Sequence, residues 1–141
     1  MAKILIGIDP DVDKSGYAFR IGDKIKLKNL TFFELFEELK FYAEKEVKPT
    51  IYVECGFLNK SNWHKKHSGT AAINAAIGQK TGANLELAKK ICEMCDYLKI
   101  PYVKVKPTAT KKDSAFFKQL TGLNIRTNQE QRDAFMLIVG R

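Results

Sequence analysis

Hydrophobic and polar positions along the first thirty residues follow the patterns of β-strands. A continuous apolar run occupies residues 3–8, which is typical of a strand covered on both faces. Residues 17–21 and 24–30 follow, and the second of these segments alternates lysine with apolar residues, as a half-buried strand does. The pair Gly22-Asp23 favours a turn between them. The opening segment therefore predicts three strands in an antiparallel meander.

The pattern then changes to the spacing of a helix. Thr31 and Glu34 have the spacing of a capping box, and apolar residues recur at helical intervals up to about Val47, before Pro49 ends the helix. A fourth strand is predicted over residues 51–54 and a fifth over residues 102–105. A long helix is predicted between them, over residues 70–98. Its small residues predict close packing against a neighbour, and they are Ala71, Ala72, Ala75, Ala76, Gly78, Gly82, Ala83 and Ala88.

Two shorter helices complete the predicted elements. Thr110 and Asp113 have the spacing of a cap that opens a helix ending near Gly122. Thr127 and Glu130 have the same spacing at the start of a last helix that reaches Gly140. The order is three strands, a helix, a strand, a helix, a strand and then helices. This order predicts an α/β, ribonuclease-H-like fold, with a five-stranded mixed sheet flanked by helices in a single domain over residues 1–141.

Charge and cysteine content narrow the function classes. The chain has 24 Lys and Arg against 16 Asp and Glu, a net charge of +8, which suits a polyanionic partner such as nucleic acid. A soluble basic surface without a partner is the alternative. No apolar run is long enough to span a membrane, and the N-terminus does not resemble a signal peptide. We therefore expect a cytoplasmic, reducing location and no membrane partner.

Three cysteines, Cys55, Cys92 and Cys95, are an odd number, which argues against a secreted disulfide framework. Cys92-x-x-Cys95 and His64-x-x-His67 together offer four zinc ligands, but their order and separation match no common zinc site. We therefore expect the thiols to lie in the core.

Four carboxylates fall where chemistry is plausible. Asp9 ends the first predicted strand, Glu54 ends the fourth, and Glu130 and Asp133 lie three residues apart on the last helix, hence on one face. These acids also have ordinary alternatives: Asp9 as a turn residue, Glu54 as a paired surface carboxylate and Glu130 as part of a helix cap. If the first and fourth strands are neighbours, the four carboxylates converge and repel one another. Divalent cations such as Mg²⁺ or Mn²⁺ resolve that conflict, and a pair of them hydrolyses phosphodiesters.

These segments resemble the RuvC-type Holliday-junction resolvases, especially their short phage-like members. The resemblance lies in the opening stretch GIDPDVDKSGYA, in IYVE at residues 51–54 and in EQRDA at residues 130–134, and it spans nearly the whole chain in the same order. It implies a homodimeric, Mg²⁺-dependent endonuclease, with Mn²⁺ as a substitute, that resolves four-way DNA junctions by paired cuts. It also implies that the metal ligands and catalytic residues are Asp9, Glu54, Glu130 and Asp133.

The same resemblance implies a set of DNA-binding residues. Phe57 follows the second acidic strand, where the family has an aromatic residue, and would wedge into the junction; the alternative is a loop residue folded onto the core. The basic residues implied in DNA binding are Lys65, Lys66, Lys106, Lys111 and Lys112, and solvated lysines are their alternative.

The chain departs from the family at Asp11, where the family has a small residue, and Asp13 adds a further negative charge. These acids assist metal binding, repel phosphate or point into solvent, and the sequence does not decide among these roles. Two further functions therefore remain open: a catalytically silent junction-binding protein, and a nuclease that acts on other branched or RNA-containing substrates. A dimer contact through Ile73, Ile77 and Leu87 or the small-residue face of the long helix also remains open.

Overall fold

A computed structural model of the protein describes residues 2–59, 70–108 and 110–141. These residues form a sheet of five strands, β1 (Ile4–Asp9), β2 (Ser15–Ile21), β3 (Lys24–Leu30), β4 (Thr50–Glu54) and β5 (Tyr102–Val105). The strand order is β3, β2, β1, β4, β5. The first three strands are antiparallel, whereas β4 pairs in parallel with β1 and with β5. The predicted mixed five-stranded sheet is therefore confirmed, with β1 at its centre.

The α-helices of the described residues flank the sheet, and they are α1 (Phe32–Ala43), α2 (Ala71–Leu98), α3 (Ser114–Thr121) and α4 (Gln129–Met136). One core lies between the sheet and helices α1 and α2, and contains Ile6, Ile8, Ile51 and Val53. A second core lies on the opposite face, where α4 packs on β1 and β2. Cysteines 55, 92 and 95 are buried and free, as expected for core thiols, and His64 and His67 lie outside the described residues.

The helix boundaries confirm one predicted cap and correct two others. Thr31 and Glu34 form the predicted capping box. Helix α3, however, begins after Asp113, whose carboxylate accepts from the Phe116 amide, so the predicted start at Thr110 is wrong. Helix α4 is capped by Asn128 and Gln131 rather than by Thr127 and Glu130, because the Asn128 side chain accepts from the Gln131 amide and Gln131 bonds back.

Three other predicted boundaries also shift. Strand β2 begins at Ser15, two residues before the predicted start. Helix α1 ends at Ala43 rather than near Val47, and the Lys48 ammonium donates to the carbonyl of Ala43 at its end. Helix α4 ends at Met136, and residues 137–140 form turns.

The long helix α2 has two dissimilar halves. Its C-terminal half is anchored in the core by Ala88, Ile91 and Cys95. Its N-terminal half is mostly exposed, and a Cβ added at Gly78 or Gly82 would meet nothing within 4 Å. Among the described residues, the predicted close packing therefore holds at Ala88 but is wrong at Gly78 and Gly82. No helix in the described ranges is long and apolar enough to cross a membrane.

Two glycines allow α4 to approach the sheet closely. Gly7 in β1 faces the backbone of Ala134, and a Cβ at Gly7 would lie 2.1 Å from the Ala134 carbonyl oxygen. Gly16 in β2 faces Glu130 in the same way, with a Cβ 2.1 Å from the Glu130 carbonyl oxygen. Neither glycine has a positive φ, so the space above the strand, rather than the backbone conformation, requires them. This contact fixes the height of α4 above the ends of β1 and β2.

Candidate active site

Asp9 and Glu54 meet at the carboxyl ends of the two central parallel strands. The register pairs Ile8 of β1 with Val53 of β4, so the next residues along, Asp9 and Glu54, are neighbours. Side chains alternate between the faces of a strand, which places both carboxylates on the face that α4 covers. The predicted proximity of the two acids thus follows from the parallel pairing.

The environment of this pair disfavours two negative charges. Burial, followed by the charges of Glu54 and Asp133, raises the pKa of Asp9 to about 8, although the Lys111 ammonium acts in the opposite direction. Burial also raises the pKa of Glu54. The contact between the two carboxyl groups raises the pKa of Asp9 and lowers that of Glu54, so the two groups do not ionise independently. Without a cation, this corner of the sheet favours a protonated Asp9.

Helix α4 contributes the third carboxylate, Asp133. Its side chain is only 12% exposed, and its Oδ2 atom accepts from the Lys111 ammonium at 2.7 Å. Its Oδ1 atom accepts from the Gln129 amide, also at 2.7 Å. Both oxygens of Asp133 are therefore engaged, and the charge of Lys111 also lowers the pKa values of Asp9 and Glu54.

Glu130 is the predicted acid that does not join this cluster. It is exposed, and it is not among the groups whose charge acts on Asp9 or Glu54. Its Cβ does lie above Gly16, which is paired with Asp9 across β1 and β2. The side chain therefore begins beside the cluster, one helical turn before Asp133, and extends into solvent.

In residues 2–59, 70–108 and 110–141, no three carboxylate, imidazole or thiol groups are arranged to hold a metal ion. Both oxygens of Asp133 instead accept hydrogen bonds, from Lys111 and from Gln129. The donor chemistry nevertheless fits Mg²⁺, which binds carboxylate oxygens, and the crowding of Asp9 by neighbouring carboxylates is the electrostatic condition that a divalent cation relieves.

The predicted basic residues have different surroundings. Lys106 and Lys111 line a cleft of about 190 Å³ beside Glu54 and Asp133. Lys112 instead places its ammonium 4.7 Å from the centre of the Phe116 ring, on α3. Lys65 and Lys66 lie outside the described residues.

Phe57 lies in a short 3-10 helix, Gly56–Leu58, directly after β4. The ring is half-buried and packs against the edge of the core formed with α1 and α2. The ammonium groups of Lys89 and Lys104 lie 5.6 and 5.8 Å from its centre. This placement favours the alternative in which Phe57 folds onto the core, and insertion into a junction stays a prediction.

The two additional acids of the β1–β2 loop turn towards α2. The Asp13 amide donates to Asp11 in a local turn, and Lys80 of α2 lies 4.0 Å from both carboxylates. The Val12 amide also donates to the side chain of Asn84 on α2. These contacts join the loop to α2 and give both acids a cationic partner.

Sequence reasoning did not identify two polar contributors to this region. Gln129 orients Asp133 and had no recognisable signal apart from its i, i+4 spacing to that residue. Arg141 lines the cleft beside Glu54, and its position at the last residue gave no reason to single it out. Lys111 was expected to bind DNA, and its bond to Asp133 depends on a loop-to-helix contact that spacing does not reveal.

Comparisons with known proteins bear on the fold. No family model matches the chain, and no curated protein matches it. Among solved structures, the Thermus thermophilus RuvC structure matches with a TM-score of 0.53 and 12% sequence identity, covering 95% of this chain and 90% of that chain. A second match is T. thermophilus RuvC in complex with Holliday junction substrate, with a TM-score of 0.49, 13% identity, and coverage of 96% of this chain and 89% of that chain. The chain therefore has the ribonuclease-H-like fold of RuvC.

Proposed function

We propose that this protein is a metal-dependent, structure-selective endonuclease that resolves four-way DNA junctions by paired phosphodiester hydrolysis. Residues 1–141 act as one nuclease domain, and two copies form the active homodimer. A two-fold dimer suits this substrate because a junction requires two cuts related by near symmetry.

The observation that carries the proposal is the crowding of carboxylates at the ends of β1 and β4. Burial and the charges of Glu54 and Asp133 raise the pKa of Asp9 to about 8, which is a costly arrangement for a structural site. Hard divalent cations stabilise such a cluster in its ionised form. A RuvC-like fold with its acids at this corner supports nuclease chemistry more than a structural role.

The residues divide the work as follows. Asp9, Glu54 and Asp133 would hold Mg²⁺ or Mn²⁺, and Glu130, whose exposed side chain extends from the same helix as Asp133, would be the fourth ligand. When bound, the metal supplies activation of water and neutralisation of charge on the phosphate. Lys111 lines the cleft beside Asp133, and with a metal held by Asp133 its ammonium would be free to pair with a phosphate oxygen.

The DNA substrate is inferred from charge and from the resemblance of the acidic segments to RuvC-type resolvases. The net charge of +8 supports binding to a phosphate backbone. The choice of a four-way junction over other branched DNA follows from the motif order alone, and the assay below separates these substrates.

Cleavage of a labelled immobile four-way junction tests the proposal, with linear duplex and flap DNA as controls, in Mg²⁺, Mn²⁺ and EDTA. We expect symmetric paired nicks that require metal and are lost in Asp9→Asn and Asp133→Asn. Asp23→Asn is the matched control, because Asp23 lies in the turn between β2 and β3, at the opposite end of the sheet.

Two outcomes would replace the proposal with the alternatives. Tight junction binding without cleavage in either metal would indicate a silent junction-binding protein. Cleavage of flaps or RNA-containing strands in preference to junctions would retain the nuclease chemistry but change the substrate. Light scattering that found only a monomer on the junction would contradict the paired-cut mechanism.

A further inference from the structure

The cleft beside the carboxylate cluster is lined by three basic side chains, of which Lys111 is paired with Asp133. It is bounded by the segment after β5 on one side and by the end of α4 on the other, and Glu54 and Asp133 lie at its edge. Lys106, Lys111 and Arg141 bring three positive charges to this space, and Thr108 and Thr110 line it as well. Cationic and hydroxyl side chains in one cleft are the groups that bind phosphate oxygens.

Arg141 is held in place by two contacts. Its guanidinium carbon lies 4.8 Å from the centre of the Tyr52 ring, a cation–π arrangement. Its Nε atom donates to the Leu137 carbonyl at 3.2 Å. These contacts use the face of the guanidinium and one of its donors, so the two terminal nitrogens remain available. Within the described residues, Arg141 forms no ion pair with a carboxylate.

A guanidinium that is oriented before binding suits a phosphodiester better than a free lysine does. Its planar fork presents two parallel donors, and the ring and the carbonyl have already restricted its rotation. Tyr52 lies on β4, two residues before Glu54, so the supporting ring and the proposed metal ligand belong to the same rigid strand. The distance from the guanidinium to the cluster is therefore set by the sheet.

We propose that this cleft binds a DNA backbone phosphate next to the scissile one, and that Arg141, supported by Tyr52, is its principal ligand. This inference rests on the proposed function, because it assigns the path of the DNA strand that the carboxylate cluster cuts. Arg141 acts as a binding residue and Tyr52 as a positioning residue.

Junction affinity and its salt dependence test the inference. In an Asp9→Asn background, which prevents cleavage, we expect Arg141→Ala to weaken binding by about tenfold. The slope of log affinity against log salt should fall in magnitude by about one, as for the loss of one phosphate contact. Lys24→Ala removes one charge at the opposite end of the sheet and should change affinity less than twofold.

Two further comparisons separate a placed guanidinium from a general charge effect. Arg141→Lys retains the charge but loses the fork, so it should recover only part of the affinity. Tyr52→Leu should also weaken binding, and the conservative Tyr52→Phe should recover affinity because it retains the ring. Neutral methylphosphonate linkages can replace the phosphates near the cut one at a time. At one position the replacement should weaken junction binding in the protein with Arg141 but should not weaken it further in Arg141→Ala.

The possible failures are distinguishable. If the protein with intact Asp9 neither binds nor cuts junctions, the proposed function fails and this inference fails with it. If that protein cuts junctions while Arg141→Ala binds as tightly as Lys24→Ala, only the inference is overturned. The inference is also overturned if Arg141→Ala weakens binding equally whichever phosphate is replaced, because a site for one phosphate requires one position at which the substitution has no further effect.

Discussion

Replacing Gly7 with alanine should separate α4 from the sheet and disturb the site without altering any polar group. The new Cβ would lie 2.1 Å from the Ala134 carbonyl oxygen, whereas ordinary contact begins at 3.4 Å. The obstacle is helix backbone, which cannot rotate away as a side chain can, so α4 must move by about 1 Å or β1 must bend.

The cost follows from the size of this clash. Forcing an extra carbon into a packed interior costs about 1 to 3 kcal/mol. The lower conformational entropy of alanine in the unfolded chain returns about 0.4 to 1 kcal/mol. Because the clash is with helix backbone, the upper part of that cost applies, and we expect the free energy of unfolding of Gly7→Ala to fall by about 1 to 2 kcal/mol.

Gly82→Ala provides a matched control with the opposite sign. Gly82 lies in α2, where a Cβ would meet nothing within 4 Å. The same substitution should therefore stabilise the protein by about 0.5 to 1 kcal/mol through helix propensity.

Urea unfolding monitored by circular dichroism measures both variants. With a slope of about 1 to 3 kcal/mol per molar urea, the two midpoints should differ by about 1 M, with Gly7→Ala the lower. Because α4 carries Asp133, a shift of about 1 Å should also reduce junction cleavage by about a hundredfold. A Gly7→Ala variant that is as stable as the unmodified protein would refute the close contact between β1 and α4.

Two further predictions concern the carboxylate cluster and a helix cap. The folded pKa of Asp9, about 8, lies above its ordinary value of 3.8, so the folded state retains a proton that the unfolded state releases. The metal-free protein should therefore lose stability as pH rises from 5 to 8. Urea midpoints measured across that range should fall with pH. The fall should be smaller in Asp9→Asn and unchanged in Asp23→Asn. A slope that is unchanged in Asp9→Asn would contradict this assignment. Asp113→Ala should lower the free energy of unfolding by about 1 kcal/mol because Asp113 caps α3. Thr110→Ala lies outside the cap and should lower it less. If thermal unfolding shows equal losses of stability in the two variants, the cap begins at Thr110.

The sequence by itself determined the strand content and the order of the elements. The apolar run over residues 3–8 and the alternation over residues 24–30 predicted strands that the structure contains. Burial on one face or two dictates such patterns locally, so they can be read without tertiary information. The strand-end positions of Asp9 and Glu54 followed in the same way.

The cap of α4 was predicted at the wrong residues because neighbouring residues compete for one role. Thr127 and Glu130 have the spacing of a capping box, but Asn128 and Gln131 have the same spacing one residue later, and the structure uses that pair. The two pairs have similar intrinsic capping preferences, so the packing of α4 on β1 and β2 decides which pair caps the helix. The outcome leaves Glu130 outside the cap.

Only the tertiary structure determined how the acids and bases meet. The bond between Lys111 and Asp133 joins residues 22 positions apart, and the cation–π contact of Arg141 with Tyr52 joins the end of the chain to a central strand. Sequence spacing reports neighbours along one helix or strand, whereas these contacts depend on how closely α4 approaches the sheet. That approach is set by the absence of a side chain at Gly7 and Gly16, whose role becomes visible only when the helix backbone is seen above them.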